Sequence, residues 1–112
     1  YGDVKCVELA IAMAHQPALL LMDEPTAGMA QAERHQLMAL TRRLGRERDM
    51  AVLFTEHSMD VVFAYADRII VLARGRLIAE GTPDEVRNNP EVQAVYLGKG
   101  TTYEAAAQGV AV

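Results

Sequence analysis

Leu19-Leu20-Leu21-Met22 is an apolar run that stops abruptly in two adjacent carboxylates, Asp23 and Glu24, followed by Pro25. No other stretch constrains the fold of this chain as strongly. A short apolar run ended by a residue that cannot donate to a ladder describes a buried strand of a parallel sheet. In α/β proteins the carboxyl ends of such strands face the ligand crevice. Two acids placed there fit metal-assisted phosphoryl chemistry, one holding Mg²⁺ while the other orients or deprotonates water. A buried strand that simply runs into an acidic turn gives the same seven residues, so the decision rests on the rest of the chain.

A second apolar run, Ala51-Val52-Leu53-Phe54-Thr55, ends in Glu56-His57-Ser58. The stretch between the two runs has helical period, so the unit is strand, crossover helix, parallel strand. Neighbouring parallel strands then present Asp23, Glu24 and His57 on one edge. A lone histidine beside a strand is ordinarily a satisfied imidazole, but sharing an edge with two acids favours a functional role.

Elsewhere, Val4, Val7, Ile11 and Ala14 recur at three- and four-residue steps and predict an inward stripe on a helix over 3–15. Asp3 serves as its N-cap and Gln16-Pro17 as its stop. A helix over 31–48 is expected to turn Leu37, Leu40 and Leu44 inward and Glu33, Arg34, Arg42 and Arg43 outward. The basic cluster Arg42, Arg43, Arg46 and Arg48 is interleaved with Glu47 and Asp49, as on a solvated face. Another helix runs from Met59 to about residue 66. Residues 68–73 and 76–80 are β-type runs about Arg74-Gly75, a tight hairpin turn. Thr82, Pro83 and Glu85 form a helix start with a capping box, and Pro90 opens a short helix to about residue 97. From 99 to 112 no period is clear, and a frayed tail is expected. Cys6 is expected to be a small core residue, and the scattered methionines to fill core gaps.

With 112 residues, the chain has room for one small domain with a modest core. An apolar content of 51% is too high for a disordered chain, yet no run nears the roughly 20 residues that span a bilayer, and no charged-then-apolar signal opens the sequence. Eleven basic residues against fifteen acidic give a net charge of −4, which speaks against a general nucleic-acid binder. A single cysteine cannot form an internal disulfide and suits a reducing cytoplasm.

Three motifs resemble a known family, and their order along the chain and their spacing agree with it. Leu21 to Thr26 is similar to the Walker B segment of ATP-binding cassette (ABC) ATPases, Glu56-His57 to their switch-histidine loop, and Tyr1-Gly2-Asp3 to the end of their signature loop. Ala79 to Pro83, Asn88 to Val92, Val95 to Gly98 and the Ala27-Gly28-Met29 turn resemble the ATP-binding subunits of branched-chain amino acid importers. The resemblance covers about residues 1 to 98. It implies an α/β fold: the C-terminal portion of a parallel-sheet P-loop NTPase of the ABC ATPase type, lacking the Walker A strand and loop, with a β-hairpin and short C-terminal helices. Residues 1–98 are then part of a nucleotide-binding domain, and 99–112 a flexible tail.

Roles follow from the resemblance. Asp23 is expected to hold Mg²⁺, Glu24 to act as general base, and His57 to bond the γ-phosphate of ATP and bridge to Glu24. Tyr1, Gly2 and Asp3 are expected to face ATP held by a second ABC ATPase subunit, since ABC domains work as head-to-tail pairs. The remaining implied partners are transmembrane permease subunits and a solute-binding protein, on the inner face of the cell membrane. The chain has no Gly-x-x-x-x-Gly-Lys-Ser/Thr motif to cradle phosphates, so by itself it is expected to be inactive. In the family the phosphate-loop strand lies beside the histidine-bearing strand. Its absence is expected to leave 51–55 with an open edge prone to self-association. Tyr1, Asp3, Ala30 and Ser58 depart from common family residues and bear on contacts between subunits. A non-catalytic module pairing with a complete ABC ATPase, an importer ATPase for urea or other amides, and an ATPase of DNA maintenance are the competing readings.

Overall fold

A computed structural model describes residues 2–97 and 107–111. The chain opens with α1 (Gly2–Ala14), β1 (Leu19–Asp23), α2 (Gln31–Glu47) and β2 (Ala51–Glu56). Then come α3 (Met59–Tyr65), β3 (Ile69–Ala73), β4 (Arg76–Gly81), α4 (Pro83–Arg87) and α5 (Pro90–Val92). A π-helical turn (Gln93–Leu97) follows, and β5 spans Ala107–Ala111.

The strands form one sheet in the order β1-β2-β5-β3-β4. β1 and β2 are parallel, in register from Leu19–Ala51 to Asp23–Thr55, as the strand–helix–strand pattern predicts. β3 and β4 form the expected hairpin, with Ala73 opposite Arg76 across a two-residue turn. Arg74 and Gly75 both have positive φ, 51° and 75°, the pairing that matches the right-handed twist of a two-residue hairpin. Thr82 caps α4 as predicted: its hydroxyl accepts from the Glu85 N–H while the Glu85 carboxylate accepts from the Thr82 N–H.

Two buried clusters hold the fold. Met38, Phe54, Val61, Val62, Ile69, Val71, Val86 and Val92 form the larger; Leu9, Met13, Leu20, Met29, Leu37 and Met50 form the other. Met22 and Val52 pack against both. Gly45 lets α2 lie close to β2, because a Cβ there would sit 3.2 Å from the Met50 carbonyl oxygen. The same glycine carbonyl accepts from the Met50 N–H, closing the helix end.

Several expectations are corrected. Residues 107–111 lie inside the expected tail, yet they pair antiparallel with Phe54–Glu56 of β2 and with all of β3. The edge of β2 expected to stay open is therefore covered along 54–56, since two strands with free main-chain groups accept even a small-residue segment. β1 is an edge strand with one covered face: Leu20 is buried, whereas Leu19 and Leu21 are exposed, Leu21 at 66%. The inward stripe of α1 is Leu9 and Met13, while Val4, Val7 and Ile11 are about 60% exposed. That helix is apolar on most sides, so periodicity alone does not select a face. Cys6 is exposed rather than buried. α1 already includes Gly2, which puts Asp3 within its first turn rather than at the cap.

Candidate functional site

β1 and β2 end side by side, and each end is held by the other. The Glu24 N–H donates to the Thr55 carbonyl (3.0 Å) and to the Thr55 hydroxyl (3.0 Å). That hydroxyl donates to Asp23 Oδ1 at 2.6 Å. One threonine thus fixes the backbone of one acid and the carboxylate of the other. Beyond Glu24 the chain turns sharply, with the Ala27 N–H donating to the Glu24 carbonyl. Glu24 has φ +45°, a left-handed conformation that costs a non-glycine residue about 1–3 kcal/mol and persists only where the surroundings fix it.

His57 follows directly on β2. Its Nε2 lies 2.6 Å from Glu24 Oε1, with both side chains partly open to solvent. Register explains the contact: Asp23 faces Thr55, so the residues just past each strand meet across the same edge. Of the residues singled out in the sequence, the structure brings together Asp23, Glu24 and His57. Gly2 and Asp3 open α1, whose first residue lies against Glu33 of α2: a Cβ on Gly2 would be 3.4 Å from Glu33 Oε1. No hydrogen bond or ion pair among the described residues joins them to the acid–histidine group. Tyr1 lies outside the described residues.

Sequence reasoning missed three supporting residues and misplaced a fourth. Thr55 links the two acids as described. Glu56 is 4% exposed and Thr26 1%. Glu56 Oε1 accepts both the Thr26 N–H, at 2.9 Å, and the Thr26 hydroxyl, while Oε2 accepts the His57 N–H at 3.2 Å. Arg34, expected to face outward, is half-buried. Its Nε donates to the Met29 carbonyl (2.9 Å) and its Nη1 to the Ser58 hydroxyl (3.0 Å). It thereby fastens α2 to the loop after Glu24 and to the residue after His57. An acid directly before the histidine, at the end of a strand, was the available signal for Glu56, because alternation turns it away from Thr55 towards the interior.

The donor set suits Mg²⁺ rather than a softer ion. Asp23 offers a hard carboxylate oxygen at an open strand end, and no group of three or more potential ligands assembles among the described residues. Mg²⁺ is held by one or two carboxylates, with waters and substrate phosphates completing its shell.

Comparison with known proteins bears on the chain as a whole. Residues 76–101 match the family model described as branched-chain amino acid ATP-binding cassette transporter. The chain is 41% identical over 99 residues to the high-affinity branched-chain amino acid transport ATP-binding protein LivG of Salmonella typhimurium, covering 88% of this chain and 39% of that protein. It is 39% identical over 99 residues to BraF, of the same description, from Pseudomonas aeruginosa, with the same coverage. Among solved structures it resembles the ADP conformation of an ATP-binding cassette of an ABC transporter, with TM-score 0.76 and 32% identity over 88% of this chain and 40% of that one. The chain spans about two fifths of the length of the curated relatives it matches. The chain has the fold of a C-terminal portion of an ATP-binding cassette, and over most of its length it is similar to ATP-binding proteins of branched-chain amino acid transport.

Proposed function

We propose that this chain supplies the water-activating half of an ATP-hydrolysis site that drives uptake of branched-chain amino acids. The observation that carries the proposal is the 2.6 Å contact of His57 Nε2 with Glu24 Oε1 across adjacent parallel strands. Glu24, with Oε1 engaged by His57, takes the proton of the attacking water. His57 orients that carboxylate and reaches the terminal phosphate. Asp23, steadied by the Thr55 hydroxyl, would hold Mg²⁺, which would supply charge neutralisation at the phosphates. The start of α1 presents free N–H groups and partial positive charge to nucleotide bound on a second subunit. Permease subunits and a solute-binding protein complete the assembly at the cytoplasmic face of the membrane; nucleic acid has no part in it.

The 112-residue chain lacks a phosphate-cradling loop motif. It should therefore bind Mg·ATP no more tightly than about millimolar, near −4 kcal/mol, and saturable micromolar binding in calorimetry refutes this assignment. Fused behind the N-terminal part of LivG, the chain should hydrolyse ATP. Glu24→Gln in that fusion should then lower kcat by about 10²-fold or more, as loss of a general base does. Unchanged turnover removes Glu24 from the role.

A further inference from the structure

Glu56 is a buried acid that the proposed chemistry does not use. Its three donors are the Thr26 N–H, the Thr26 hydroxyl and the His57 N–H. One oxygen therefore holds the turn that follows Glu24, and the other holds the main chain of the next residue, His57; both stretches carry a side chain of the site. Thr26 lies two residues beyond Glu24, inside the turn that keeps Glu24 at φ +45°, and His57 provides the ring that meets Glu24. A carboxylate this deeply buried requires every acceptor site to be matched, and here main-chain and hydroxyl dipoles do so. The two Thr26 bonds cross from the end of β2 to the turn after β1, while the third orients the main chain entering His57.

We infer that Glu56 is a positioning residue: its carboxylate clamps the turn after β1 to the end of β2 and thereby sets the Glu24–His57 contact. The role deepens the hydrolysis reading above and rests on it for its catalytic consequence, though not for the clamp itself. An amide in its place has one acceptor oxygen. If that oxygen serves Thr26, the NH₂ group confronts the His57 N–H, so Glu56→Gln keeps the volume and breaks one of the two links. Thr26→Val removes the hydroxyl from the other side at nearly equal size, and Thr26→Ser restores it.

The test has two arms. In the 112-residue chain, NMR reads the Glu24–His57 contact through the Nε2 shift of His57 and through-space transfer from its ring to the Glu24 side chain. Glu56→Gln and Thr26→Val should abolish the signal; Thr26→Ser and the core variant Val92→Ala, chosen as a stability control, should retain it. Retention in Glu56→Gln overturns the inference. Loss in Val92→Ala as well also overturns it, since the contact then only follows overall stability. In the LivG fusion, Glu56→Gln should lower kcat by about ten- to a hundredfold with KM for ATP within about twofold, the signature of misplacement rather than lost binding. Val92→Ala should leave kcat unchanged. If Glu24→Gln leaves hydrolysis intact, the catalytic reading fails while the NMR arm still decides the clamp.

Discussion

Thr55→Val isolates a single hydroxyl at the centre of the site. The substitution is close to isosteric and suits a strand, so it opens no cavity. Two hydrogen bonds disappear, and their worth differs. The Glu24 N–H keeps its bond to the Thr55 carbonyl at 3.0 Å, so no main-chain donor is orphaned and that loss is close to zero. The bond to Asp23 Oδ1 is short, 2.6 Å, and charge-assisted, a type worth about 1.5–3 kcal/mol when sheltered. Asp23 is exposed, so water replaces most of it, leaving about 1 kcal/mol. The added methyl on a half-buried position returns about 0.4 kcal/mol, half of a fully buried methylene. The net loss should be roughly 0.5–1 kcal/mol in urea unfolding, with the slope unchanged. Amide exchange at Glu24 should stay slow, because the carbonyl partner remains. A loss above about 2.5 kcal/mol, or fast exchange at Glu24, contradicts this partition and makes the hydroxyl, not the ladder, the element that fixes the acid.

Val62→Ala strips two methyls from a side chain 1% exposed in the larger cluster and should cost about 2–3 kcal/mol in urea or thermal unfolding; a change under about 1 kcal/mol contradicts tight packing of α3 there. Ending the chain at residue 106 removes β5 and frees the main-chain groups of Phe54–Glu56 and of β3. Sedimentation should then show concentration-dependent association that the intact chain lacks, and identical behaviour of both argues against the pairing. Tyr96 is pushed up to about 12 by burial, with its hydroxyl donating to the Leu72 carbonyl. Its folded pKa lies above its unfolded value of 10.0, so its contribution to stability is intact below pH 10 and is lost as pH rises through about 12. Ultraviolet titration should show a late tyrosinate that Tyr96→Phe abolishes; loss of an earlier component instead contradicts the burial.

Where residue type alone decides local geometry, the sequence was legible. Apolar runs ending in acids or histidine marked β1 and β2, Arg74-Gly75 marked the hairpin, and the Thr82-Pro83-Glu85 grouping marked the start of α4. Face selection was harder. α1 carries Val4, Val7 and Ile11 on one side and Leu9 and Met13 on another, and period 3.6 fits either stripe. Strand 107–111 lay beyond reach for a different reason: its pairing depends on open main-chain edges at residues 54–56 and 69–73, a property of its hosts. The inward turn of Arg34 likewise comes from acceptors at Met29 and Ser58, which only the folded loops bring within reach.

The polar contacts of the site are consequences of register before they are causes of order. Leu20 pairs with Val52 and Met22 with Phe54, and burial of these side chains fixes how β1 slides against β2. A slip of one residue would turn all of them over to the opposite face, and Leu20 would exchange a buried position for the open face now occupied by Leu19 and Leu21. The same slip would set Asp23 against Glu56 or Phe54 instead of Thr55, placing a carboxylate beside a buried carboxylate or an aromatic ring. Apolar packing on one face therefore selects the only alignment in which the Thr55 hydroxyl reaches Asp23 and His57 reaches Glu24. Glu56 then acts within that alignment, converting a register set by hydrophobic side chains into a fixed distance between an acid and an imidazole.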